Sequence, residues 1–184
     1  MKKTIIWLCL CALFLLVPSC GGQATPTDTP AAATTPAPPA ATDAGVRQPG
    51  EVTIKVTMPA GWTKNTASVL PVHYQKDTAT FMAKEEPFES DTLDAVVTEA
   101  VGYYKDAFDD FSVEGEAEPL TVDEKDARKL VFTSAFGGIK MKFLYVYVFA
   151  ADNTYVMSFG DLADHFDQLS GDFDSIINTI KFET

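Results

Sequence analysis

Residues Ile139 to Ala150 read IKMKFLYVYVFA. Side chains of an extended chain alternate between two sides, so Ile139, Met141, Phe143, Tyr145, Tyr147 and Phe149 face one way and Leu144, Val146 and Val148 the other. A strand that is apolar on both sides belongs in the middle of a sheet and must be covered on both faces. The rest of the chain has to supply neighbours and covers for it.

Val52 to Met58 alternates apolar and polar residues as a half-buried strand, and Pro59-Ala60-Gly61 ends it. Further strands are predicted at Val69–Gln75 and Ala79–Lys84, with Lys76-Asp77 as the turn between them and a proline-broken loop at Glu85–Ser90. A helix is predicted over Thr92–Phe108, with Asp91 at the N-cap position and Asp94 in the first turn. Leu93, Val96, Val97, Ala100, Val101, Tyr104 and Phe108 form its apolar stripe. Strands follow at Phe111–Glu116, Pro119–Val122 and Ala127–Ser134, then a Gly137-Gly138 hairpin into the two-sided strand. Asp152-Asn153 turns the chain into Thr154–Phe159. A last helix is predicted over Asp164–Thr179, with a stripe of Phe166, Leu169, Phe173, Ile176, Ile177 and Ile180. This order describes an α+β fold: an antiparallel β-sheet with helices packed on both faces, a three-layer α/β/α sandwich.

Not all 184 residues can join that domain. Residues 1–19 have the parts of a secretion signal: Lys2 and Lys3, then an unbroken apolar run from Ile5 to Val17. The run is short for a membrane-spanning helix, which needs roughly 20 residues. It ends in Val17-Pro18-Ser19-Cys20-Gly21, which resembles the lipobox of bacterial lipoproteins. That resemblance implies a diacylglyceryl group on the sulfur of Cys20 and cleavage before it; two acyl chains give stable anchoring. The alternative is an ordinary secretory signal cut near Cys20. Residues 20–50 carry six prolines, mostly among Ala and Thr, with Val46 the only large aliphatic and no aromatic. Such a stretch cannot offset its own ordering entropy and is expected to be a disordered tether. Residues 51–184 form the folded domain.

The domain carries 11 basic and 24 acidic residues, a net charge of −13. This repels phosphate backbones, so nucleic acid is not an expected partner. Cys9 and Cys11 lie in the leader, so residues 51–184 offer no cysteine for a disulfide, a thiolate nucleophile or a zinc site.

Candidate chemistry is sparse. His73 falls in a predicted strand with no visible partner, and no Gly-x-Ser-x-Gly elbow is present. His165 sits among Asp161, Asp164 and Asp167, and Asp172-Phe173-Asp174 offers further oxygens. Neither has the spacing of a calcium loop, and acids near a helix start also serve its dipole. Gly137-Gly138 lacks the lysine and helix of a phosphate loop. Tyr103, Tyr104, Tyr145, Tyr147 and Tyr155 could line a pocket or simply pack in the core. Trp62 reads as a core plug after a turn, or as an interface residue.

The strand leading into Met58-Pro59-Ala60-Gly61-Trp62, the helix after three strands, the meander from Asp126-Ala127 and the closing Ile176-Ile177-Asn178-Thr179-Ile180-Lys181-Phe182 together resemble the PsbP-like superfamily. The resemblance spans nearly all of 51–184. It implies a three-layer sandwich with a binding or accessory role, and it supplies no catalytic residue to carry over. The expectation is therefore an extracytoplasmic lipoprotein, anchored to the cell membrane or outer membrane through Cys20. It acts without catalytic residues, cofactor or metal on a protein partner in the envelope. The alternatives are a carrier of a small apolar molecule between sheet and helix, and a hydrolase.

Overall fold

The computed structural model describes residues 42–43 and 52–183. The leader, Cys20 and most of the tether lie outside the described residues.

In chain order the elements are β1 Thr42–Asp43, β2 Thr53–Thr57, β3 Thr63–Lys64, β4 Val72–Lys76, β5 Ala79–Glu86 and α1 Leu93–Ala107. Then come β6 Asp109–Val113, β7 Glu118–Val122, β8 Lys125–Phe136, β9 Ile139–Ala150 and β10 Asn153–Leu162. A 3-10 turn at Phe166–Leu169, α2 Ser170–Thr179 and β11 Lys181–Glu183 complete the domain. Eight strands form one sheet in the order β3-β4-β5-β10-β9-β8-β6, with β7 pairing the other half of the β8 edge. A second sheet has the order β1-β2-β11. Every strand pair among the described residues is antiparallel.

β9 sits centrally, between β8 and β10, as its two-sided pattern demands. Leu144, Val146, Val148 and Ala150 pack into one cluster with residues of β2, β4, β5, β10 and α2. Tyr147, with Phe143, Tyr145 and Phe149 at the margin, packs into another with Leu93, Val96, Val97 and Ala100 of α1. The fold is thus α+β, dominated by antiparallel sheet, with two helices.

Three hairpins turn on two residues with positive φ: Gly137-Gly138, Asp123-Glu124 and Ala151-Asp152. Such turns match the twist of the flanking strands. The last lies one residue before the expected Asp152-Asn153, and Asn153 is the first residue of β10, opposite Ala150. Gly160 is needed for a different reason: a Cβ there would stand 2.8 Å from Cε1 of Phe143, whose ring covers that stretch of backbone.

The helix ends also differ from expectation. Thr92, not Asp91, caps α1, its Oγ1 accepting the Ala95 N–H at 3.2 Å. The last helix does not run unbroken from Asp164. It opens as a 3-10 turn, which brings Phe166 and Leu169 toward the core together because residues i and i+3 eclipse in that geometry. Val69 lies outside β4 and is 96% exposed.

Candidate functional site

The Pro59-Ala60-Gly61-Trp62 turn is pinned to α2. Trp62 Nε1 donates to Asp172 Oδ2 at 2.9 Å, and the Lys76 ammonium reaches the same oxygen at 2.7 Å. Gly61 has φ +89°, and a Cβ at this position would stand 3.3 Å from Cε of Lys76. Glycine therefore makes both the turn and the passage of the lysine stem possible. The Trp62 ring meets Phe173 edge-on at 6.4 Å. Burial pushes the Asp172 carboxyl up, but the hydrogen bonds from Lys76 and Trp62 outweigh it and hold the group below its ordinary value. This constellation is a structural lock with its polar atoms occupied, and Trp62 is the core plug rather than an open contact.

The histidines are far from equivalent. His73 is 8% exposed, and neither imidazole nitrogen has a hydrogen-bond partner. His165 is exposed and its backbone N–H donates to Leu162 O. The acids near it are not convergent. Asp161 is buried and accepts from Thr78 Oγ1 at 2.6 Å and from the Leu162 N–H at 2.7 Å. Asp167 pairs with Lys142 at 2.9 Å, and Asp164 and Asp174 face solvent. Among the described residues no three His, Cys, Asp or Glu side chains gather in a way that could hold a metal ion.

The tyrosines divide. Tyr155 is buried with the α2-side cluster, and Tyr103 is exposed. Tyr104, Tyr145 and Tyr147 belong to an aromatic assembly on the α1 side. Tyr104 stacks on Phe132 at 5.4 Å and on Phe108 at 5.3 Å, and meets Tyr145 edge-on at 5.6 Å. Phe132 in turn stacks on Phe143 at 5.0 Å, and Phe136 meets Phe108 at 5.6 Å. Tyr147 donates to the Tyr104 oxygen at 3.3 Å. Burial pushes all three phenols above their ordinary range, so they stay protonated. Tyr104, Phe108, Phe111, Phe136, Phe143 and Tyr145 are only half-buried, and Ile139 at the nearby hairpin is 45% exposed. The assembly is a core left partly open at the end of α1.

Two clefts are polar instead. One, of about 330 Å³, lies at the start of α1 among Thr92, Asp94, Lys125, Asp126, Arg128 and Phe149. Arg128 is committed there to Asp94, with Nε to Oδ1 at 2.6 Å and Nη2 to Oδ2 at 3.4 Å. The other, of about 470 Å³, runs beside β6 between Asp110, Glu114, Thr133, Ser134 and Lys140. Lys142 close by bridges Glu114 at 3.0 Å and Asp167 at 2.9 Å. Neither cleft has the Phe and Tyr walls a carrier of apolar molecules would need. Sequence reading missed Arg128 and Lys142 because their partners stand 34 and 25 residues away. For Arg128 the alternation of β8 carried a usable signal, since it places that residue on the α1 side.

A sheet of antiparallel strands with α1 inserted after β5, the meander β6 to β10 and a closing helix define a PsbP-like fold. Cyanobacterial PsbP (CyanoP) from Synechocystis superposes with a TM-score of 0.53 at 14% identity, over 90% of this chain and 98% of that one. LpqN of Mycobacterium tuberculosis, a protein involved in cell envelope biogenesis, superposes with a TM-score of 0.58 at 17% identity, over 74% of this chain and 87% of its own. At such identities the likeness is one of fold. No protein-family model matches the chain, and no curated protein matches it in sequence.

Proposed function

We propose that the chain is an extracytoplasmic lipoprotein, anchored through Cys20, whose domain works as a non-enzymatic binding or accessory module in the cell envelope. The half-open aromatic assembly around Tyr104, Phe108, Phe136 and Phe143 carries this reading, with Ile139 at its rim. Large apolar side chains left partly uncovered on an otherwise acidic surface suit a protein partner, with aromatic anchors at the centre of the contact. Among the described residues neither nitrogen of His73 has a hydrogen-bond partner, so this histidine activates no nucleophile. Among the described residues no helix is long and apolar enough to cross a membrane. The involvement of LpqN in cell envelope biogenesis supports the location. Residues 20–50 then serve as a tether, which raises the effective concentration of the domain near membrane-bound partners. In finer architecture the reading is a three-layer sandwich, with a helix on each face of the large sheet, one of them leaving its aromatic border open.

The test is crosslinking in intact cells with the wild type, Cys20→Ala and Ile139→Asp side by side. Cys20→Ala should leave the membrane fraction or accumulate as precursor. Ile139→Asp should stay anchored and folded but lose a specific crosslinked partner. An unmodified N-terminus downstream of Cys20 overturns the anchor. A partner retained in full by Ile139→Asp moves the contact elsewhere, and copurifying lipid-like ligand in the wild type puts the carrier reading first.

A further inference from the structure

Among the described residues, the buried side-chain polar atoms left without a hydrogen-bond partner are the two nitrogens of His73. Leaving such atoms dry costs free energy, and native structures rarely do it without a use. The position of His73 supplies one. β4 is the second strand from the end of the large sheet, and beyond it stands only β3, paired through Thr63↔Gln75 and Lys64↔Tyr74. Inside, β4 pairs β5 from Val72↔Ala83 to Lys76↔Ala79. The hairpin of β3 and β4 is thus an edge flap, held to the sheet by one ladder, to the core by Val72 and Tyr74, and at its two ends to Asp172 of α2 by Trp62 and Lys76, while the His73 imidazole in its middle adds no polar clamp.

The imidazole faces uncharged neighbours. Met82 stands directly across on β5, and the row continues into Ser158 of β10 and Tyr145 of β9. The charged groups on the same side of β5, Lys84 and Glu86, are paired with each other at 2.6 Å. Lys76 of β4 projects to the other side and is held by Asp172. β3 brings Thr63 and Lys64, and the loop 65–71 contains no titratable residue. Among the described residues no carboxylate hydrogen-bonds or pairs with His73, so a proton on it would be a buried charge without a partner.

We propose that the β3–β4 hairpin is an acid-released flap: protonation of His73 in mildly acidic surroundings frees it from the sheet edge and bares β5. Burial lowers the affinity of His73 for protons in the closed form. The open form, with the imidazole in water, binds a proton at its ordinary value of 6.5. The open form therefore binds more protons below that pH, and acid draws the hairpin out. What is uncovered is the β5 edge from Ala79 to Ala83 and the apolar faces of Val72 and Tyr74, the kind of surface that accepts an added strand.

Hydrogen exchange of the full chain between pH 7.5 and 5.5, corrected for the intrinsic pH dependence of exchange, reads this directly. Amides around His73 in residues 63–76 should show an opening constant that rises, by at most about tenfold per pH unit, below about 6.5, while α1 and the β8–β9 hairpin stay flat. His73→Gln and His73→Leu should each abolish the rise, and His165→Ala should leave it intact. Opening that ignores pH, persists in both His73 variants or spreads over the whole sheet overturns the proposal. Should neither variant fold, NMR titration of the wild-type imidazole decides: it must remain neutral below pH 6.5, and titration at or above 6.5 overturns the flap.

Discussion

The two faces of β9 are built by different means. Val146 and Val148 enter a cluster of aliphatic side chains and rings that closes over β2, β5, β10 and α2, and its core members are all buried. Tyr145 and Phe143, their neighbours in the chain, enter a cluster in which half-buried side chains outnumber buried ones. Aliphatic groups interdigitate to crystal-like density. On the α1 side the rings of Tyr104, Phe108, Phe136 and Phe143 lie at the end of the helix, where no further element covers them fully. One face is thus closed, and the other keeps apolar area at its border.

A paired substitution is the strongest way to break this contrast. Val146→Asp puts a charge without a partner into the closed cluster and should cost several kcal/mol, enough to abolish a cooperative melt. Tyr145→Asp should cost clearly less, because its border can rehydrate. Denaturant titration of the two variants measures the difference, and equal losses would mean that the aromatic face is closed as well. Gly160→Ala probes where the faces share backbone. The added methyl meets the Phe143 ring and should cost about 1–2 kcal/mol, since that ring must move at its half-open border.

The Trp62–Asp172–Lys76 lock on the closed side sharpens the contrast through pH. The carboxyl of Asp172 is held below its ordinary value of 3.8, so the stability it supplies is complete above that pH and fades as pH falls through the lower folded value. Trp62→Phe deletes one of the two donors. It should cost about 1 kcal/mol at pH 7 and shrink the loss seen between pH 4 and 2 in acid melts. The smallest effect belongs to a turn that touches neither cluster. Ala151 has φ +46°, and Ala151→Gly should raise stability by about 0.5–1 kcal/mol in thermal unfolding.

Much of this frame was legible in the sequence. The two-sided pattern of β9 placed it centrally, and the stripe of α1 named all four of its buried residues, Leu93, Val96, Val97 and Ala100. What escaped was decided by single atoms or by distant partners. Thr92 won the cap over Asp91 because its hydroxyl reaches the Ala95 N–H. β3 and β11 are two and three residues long, too short for any period to show. The open border of the aromatic face was hidden because Tyr104 and Phe108 follow the same helical spacing as the buried residues before them. The isolation of His73 is a property of what surrounds it, and composition alone carried no sign of that.

β11 lies beside β2 with Glu183 opposite Thr53 and Lys181 opposite Lys55, and Asp123 clamps it by accepting from the Phe182 N–H at 2.9 Å and from Lys181 Nζ at 2.8 Å. The start of β2 and the end of β11 therefore lie side by side. A short link between those neighbouring ends, with the chain reopened at Gly137-Gly138, should yield a circularly permuted protein that keeps both clusters.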